Sequence, residues 1–170
     1  MARLSEITAR KCGINDVIVN RLRVAAALHD IGKIKIPDNI VNKSGELTPE
    51  EFEVMETHTT LGFEILKNIK GDLGKMARIC ALYHHESWDG SGYFGKYTCE
   101  LPPYLPIVSI SDVFVALRCP RVYKAGWNQD KALEYIRQQA GKQFNPALVD
   151  IFLELILHDE NSARLFAAIK

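Results

Sequence analysis

The sequence of 170 residues predicts an all-α fold, a single helical bundle. Apolar residues recur at helical spacing along most of it, and no segment shows the strict alternation of a half-buried strand. Helix start signals stand where such segments begin. Thr48-Pro49-Glu50-Glu51 combines a capping threonine, proline at the first helical position and a glutamate three residues after the cap. The third observation is chemical. His29, His58, His84 and His85 make up all but one of the five histidines, and they fall with Asp30 and Asp112 on or at the ends of these segments. Bundles whose inward side chains converge on ions have that layout.

In chain order, residues 2–12 and 15–29 form two helices broken at Gly13-Ile14-Asn15, with Asn15 as cap. The second carries Val17, Ile18, Leu22, Ala25, Ala26 and Leu28 at helical spacing, and Gly32 ends it. Residues 34–47, with Pro37, Asn39, Asn42, Ser44 and Gly45, form a loop holding at most one short turn. A helix comes next over about 49–68, with Phe52, Met55, Leu61, Ile65 and Leu66 inward, and another over 72–85. Residues 86–102 hold glycines, prolines and several aromatics, a loop of a length that usually serves as a lid or binding loop. A helix over 103–118, a polar loop over 119–128, and helices at about 129–140, 146–158 and 161–169 close the chain. Asn145-Pro146 again pairs a cap with proline.

Length and charge narrow the function. One domain covering 1–170 is the expectation, and its start inside a helix suggests a piece of a longer protein. The 21 basic residues balance the 21 acidic ones, so nothing overall attracts a nucleic-acid polymer. Cys12, Cys80, Cys99 and Cys119 show no CxxC pair, as expected of reduced thiols in a cytoplasmic protein. No apolar run approaches the roughly 18 residues of a membrane span, and no signal pattern opens the chain.

The chemistry centres on Leu28-His29-Asp30-Ile31-Gly32-Lys33, joined by His58, His84, His85 and Asp112 further along the chain. On a helix His29 and Asp30 would point about 100° apart. They would then give one ligand to each of two ions, or the carboxylate would bridge both. A single buried histidine is more often a hydrogen-bonded core residue than a ligand. Here, however, His84 and His85 are adjacent, and each needs a polar partner if buried. Asp112 adds a hard oxygen donor. A nitrogen and oxygen donor set without sulfur suits Fe, Mn, Zn or Mg. Paired ions of that kind polarise a phosphoryl oxygen and provide hydroxide at neutral pH, which suits phosphodiester hydrolysis. Lys33, three residues after Asp30, is placed to reach a phosphate. His158, beside Asp159 and Glu160, has no such context and reads as a surface residue.

Together, His29-Asp30-Ile31-Gly32-Lys33, His58 followed by Gly62, His84-His85-Glu86 with Asp89-Gly90-Ser91-Gly92-Tyr93, Asp112, and Arg121-Val122-Tyr123-Lys124 resemble the HD-GYP subgroup of the HD-domain phosphohydrolases. The resemblance runs over about residues 22–153. It implies an HD-type helical bundle with a di- or tri-metal centre, usually iron or manganese, that hydrolyses cyclic di-GMP to pGpG and sometimes GMP. It further implies His29, Asp30, His58, His84, His85 and Asp112 as ligands of two divalent ions, with Asp30 bridging. Asp30 and Lys33 would be catalytic. Lys33, Arg121 and Lys124 would hold the phosphates, and Tyr93 belongs to the substrate loop. Trp88, Tyr93, Phe94 and Tyr97 either stack on guanine or pack that loop down.

The chain departs from the subgroup in three places. Phe94 stands where the GYP motif ends in proline, and Val115 stands where a second aspartate usually succeeds Asp112. Ligands that the family often provides upstream would precede residue 1. A third metal is therefore not expected, and the ion nearest His29 and Asp112 should be held more weakly. These departures leave two alternatives. One is a degenerate domain that binds nucleotide or docks a diguanylate cyclase without cleaving; the other is an HD phosphohydrolase for another nucleotide.

Overall fold

The computed structural model describes residues 1–120 and 126–159, and no strand occurs among them. In order they form α1 (Ala2–Lys11), α2 (Asp16–Ala27), a 3-10 turn (Ile31–Lys35), α3 (Asp38–Val41), α4 (Pro49–Glu56) and α5 (His58–Leu66). Then come α6 (Gly71–Tyr83), a second 3-10 turn (Thr98–Glu100), α7 (Leu105–Arg118), α8 (Gln129–Gln138) and α9 (Pro146–His158). The expected helix at 161–169 lies outside the described residues. No described helix is long and apolar enough to cross a membrane.

The predicted caps form: Asn15 and Asn145 each accept a backbone N–H of the helix they start, and Thr48 and Glu51 close a capping box. Asn128 caps α8 in the same way, without having been singled out in the sequence. Helix α2 packs between α1 and α6, α5 lies on α6, and α7 spans from α1 to α8. Leu4, Leu22, Ile110, Phe114, Ile136 and Phe152 fill the centre, where Phe114 and Phe152 meet edge to face with ring centroids 5.4 Å apart. All four cysteines are free thiols.

Three expectations need correction. In α2 the buried arc is Val19, Leu22, Ala25 and Ala26, while Val17 is exposed and Ile18 is at the margin. At 100° per residue Val17 falls opposite the arc centred on Leu22. The helix expected over 49–68 breaks at Thr57. There Thr57, Thr59 and Thr60 return their hydroxyls to the carbonyls of Val54, Glu56 and Thr57, at 2.6, 2.8 and 2.9 Å, which competes with the helical ladder. Helix α4 consequently buries none of its residues, and Phe52, expected inward, is 45% exposed. Gly32 does not end α2, which stops at Ala27. It lies inside the first 3-10 turn, where a Cβ would fall on the His58 carbonyl oxygen and against the Gly62 amide. Its hydrogen side chain lets that turn press directly on α5.

Candidate metal centre

The close approach at Gly32 brings His29 and Asp30 to His58. His29 and Asp30 sit in the turn between α2 and the 3-10 turn, not on a regular helix as expected, so the two neighbours converge. His29 Nε2 lies 3.3 Å from Asp30 Oδ2 and 3.2 Å from Asp112 Oδ1, the latter on α7. His58 opens α5, and His84 and His85 come just after the end of α6. The Nε2 atoms of His58 and His84 face each other at 3.3 Å and stand 3.4 and 3.6 Å from Asp30 Oδ1. Two donor groups are compact enough to hold an ion: His58 with His84 and His85, and His29 with Asp30 and His84.

The orientation of these rings is fixed by the backbone. His29 Nδ1 donates to the Ala26 carbonyl at 2.9 Å, His58 Nδ1 to Met55 at 2.7 Å and His84 Nδ1 to Cys80 at 2.9 Å. With Nδ1 donating to the backbone, each ring turns its Nε2 edge into the cluster, the arrangement in which an outer hydrogen bond prepares a histidine for a metal. Lone pairs facing at 3.3 Å repel unless something positive lies between them. Asp30 Oδ1 is buried there without a hydrogen-bond partner, which is costly in a protein interior. The donor set therefore fits a divalent cation.

The electrostatics agree. Burial opposes charge on Asp30, but the facing His29 and His84 rings and the nearby Lys33 ammonium outweigh it, holding the carboxyl well below the usual range. Burial likewise opposes a proton on His29, but hydrogen bonds to Asp112 and Asp30 prevail and push it up to about 9. Burial pushes His58 down to about 4 and, with the neighbouring histidines, His85 down to about 3, so both rings are neutral near pH 7. The cluster combines the neutral His58 and His85 rings with ionised carboxylates, and a bound cation would take the place of the proton on His29.

Around this centre the other predicted residues take their places. Lys33 Nζ donates to Asp30 Oδ2 at 2.6 Å and is partly exposed. The Tyr93 ring lies over His85 at 4.6 Å, tilted by 31°, and meets Phe52 edge to face at 6.0 Å. Burial pushes the Tyr93 phenol up to about 12, so it remains a hydrogen-bond donor. Phe94, in place of the proline, is 42% exposed and packs edge to face on Tyr83. Val115 is half-buried against the hydrophobic core. His158 is exposed, as expected. Arg121 and Lys124 lie outside the described residues.

Two contributors have no role assigned from the sequence alone. Glu86 is buried and accepts the Phe94 N–H at 2.8 Å and the Lys96 N–H at 2.6 Å, so it pins the loop on either side of Tyr93. Gly92 packs so tightly on the Glu86 backbone that a Cβ would not fit. Ser109, one turn before Asp112, donates to the His84 carbonyl at 2.6 Å and locks the end of α6 against α7. The far side of the loop is tied by Trp88 and Asp89, whose N–H groups donate to the Gln143 and Lys142 carbonyls at 3.1 and 3.0 Å. Glu86 was within reach of the sequence, since it joins the histidine pair to the glycine loop. Ser109 had only its spacing from Asp112 as a signal.

A helical bundle that turns four imidazoles and two carboxylates on one point has the architecture of the HD-domain proteins. This chain belongs to that family: the HD-domain profile matches residues 1–148. It is 44% identical over 153 residues to the cyclic di-GMP phosphodiesterase of Thermotoga maritima, covering 89% of this chain and 42% of that protein. It is 39% identical over 154 residues to the cyclic di-GMP phosphodiesterase response regulator RpfG of Xanthomonas campestris, covering 90% of this chain and 41% of that protein. A 3'3'-cGAMP-specific phosphodiesterase of Vibrio cholerae is 37% identical over 155 residues, covering 91% of this chain and 30% of that protein. Among solved structures, Bd1817, an HDG"Y"P protein from Bdellovibrio bacteriovorus, superposes with a TM-score of 0.73 at 20% identity, over 91% of this chain and 49% of that one. That likeness shows the fold. The chain spans about two fifths of the length of the first two relatives.

Proposed function

We propose that this domain is a metal-dependent phosphodiesterase that hydrolyses cyclic di-GMP to pGpG, and further to GMP, in cytoplasmic second-messenger signalling. The observation that carries the reading is the buried Asp30 Oδ1, without a hydrogen-bond partner and faced by the His58 and His84 Nε2 atoms at 3.4 and 3.6 Å. Relatives at 37–44% identity named as cyclic-dinucleotide phosphodiesterases support the substrate class. Two divalent ions, Fe or Mn, would be held by His58, His84 and His85 and by His29, Asp30 and Asp112, with Asp30 shared. When bound, such ions neutralise phosphoryl charge and acidify water. Lys33 keeps donors beyond its bond to Asp30 for a phosphate oxygen, and Arg121 and Lys124 would clamp the phosphates from the loop after α7. The Tyr93 hydroxyl, kept protonated, donates to the substrate, and its ring shields His85 from water.

The test pairs elemental analysis of protein purified without chelator with a cyclic di-GMP hydrolysis assay under reducing conditions. The expected result is about two Fe or Mn per chain with turnover, and loss of both in Asp30→Ala; unchanged activity in that variant refutes the mechanism. A second reading, nucleotide binding or cyclase docking without cleavage, is favoured by the aliphatic Val115 one turn beyond Asp112. Metal retention without turnover selects it.

A further inference from the structure

The row of rings does not stop at the motif. From His85 it passes through Tyr93 at 4.6 Å to Phe52 at 6.0 Å, and Phe52 is 45% exposed on a helix that buries none of its residues. Phe52 therefore adds little to the core; its ring meets that of Tyr93. Its remaining surface is exposed. Glu56 lies one turn further along α4, on the same helical face, half-buried and close enough to Tyr93 for its charge to bear on the phenol. The side chain of Glu56 accepts none of the hydrogen bonds described among these residues. An exposed aromatic face and a carboxylate thus stand side by side, outward of the metal ligands by the length of that row.

We infer that Phe52 and Glu56 form a guanine subsite: the base stacks on Phe52 while Glu56 accepts its N1–H and N2–H groups. The inference rests on the phosphodiesterase reading and deepens it. A nucleotide whose phosphate sits at the histidine cluster carries its base one ribose outward, where this pair lies. Stacking on an aromatic face is indifferent to which base it holds, because every base offers a π-face. The carboxylate is not indifferent. Guanine presents two adjacent donors to it, whereas adenine presents an acceptor at N1, which the carboxylate repels. Phe52 would therefore contribute affinity, and Glu56 the preference for guanine.

The experiment uses the metal-loaded chain with cyclic di-GMP, 3'3'-cGAMP and cyclic di-AMP. Phe52→Ala is expected to raise KM at least about fivefold for all three with kcat within twofold, and Phe52→Tyr to restore it. Glu56→Gln is expected to lower the kcat/KM preference for cyclic di-GMP over cyclic di-AMP at least about tenfold. An unchanged KM in Phe52→Ala, or an unchanged preference in Glu56→Gln, overturns the subsite while leaving the phosphodiesterase reading intact. If the wild type binds metal but cleaves none of the three, the phosphodiesterase reading falls and calorimetric affinity for cyclic di-GMP decides the subsite. Equal Kd for wild type and Phe52→Ala overturns it; at least about fivefold weaker binding in the variant supports it.

Discussion

His58 titrates near 6.5 when free, but burial pushes it down to about 4 in the fold. Between those two values the unfolded chain takes up a proton that the folded one refuses, so metal-free protein loses stability as pH falls from about 6.5 towards 4. His29 works in the opposite direction. Raised to about 9 by its two carboxylates, it stabilises fully below 6.5, and that contribution fades as pH rises through 9. Thermal melts of chelator-treated protein should therefore peak near neutrality, and His58→Gln should flatten the acid limb. Parallel acid limbs for wild type and variant would show that His58 is not the buried neutral ring described here.

Between residues and the whole lie the short elements that bring donors together. The 3-10 turn reaches α5 only because Gly32 has no side chain. Gly32→Ala is expected to cost towards the upper end of the roughly 1–3 kcal/mol typical of overpacking, and to lower metal content. Gly62→Ala, whose Cβ would meet the Ala81 methyl at 3.2 Å, should cost less. Denaturant melts and elemental analysis rank the two; equal costs would mean the turn relaxes freely. The loop of 86–102 depends on Glu86 in the same way. In Glu86→Ala the amides of Phe94 and Lys96 lose their acceptors, so their hydrogen exchange should accelerate and KM should rise while bound metal is retained. Unaltered exchange at those two amides would remove Glu86 from its positioning role.

For the molecule as a whole, the proposed metal centre links ion binding to the fold. The proposed ligands come from the turn after α2, from α5, from the end of α6 and from α7, so an ion held by them would tie together elements remote in sequence. Metal at about a thousandfold over its Kd adds roughly 4 kcal/mol. At about 2–4 °C per kcal/mol for a chain of this size, chelation should lower Tm by on the order of 10 °C. Calorimetry with and without chelator reads this directly. A Tm indifferent to chelation means the six side chains are not a metal centre.

Helices, caps and the residues of the histidine–aspartate cluster were legible in the sequence because each rests on local physics. A 3.6-residue apolar period, an asparagine before a helix and the order of histidines and aspartates need no knowledge of neighbours. The break at Thr57 was nearly legible, since the Thr57-His58-Thr59-Thr60 cluster offers the hydroxyls that cause it. The features that stayed hidden depend on contacts between distant segments. Nothing local shows that Gly32 is small so that α5 can approach, that Glu86 holds the amides of Phe94 and Lys96, or that Phe52 faces outward beside Tyr93. Those outcomes come from close packing and from the need to pair buried polar groups, and both are settled only when the helices meet.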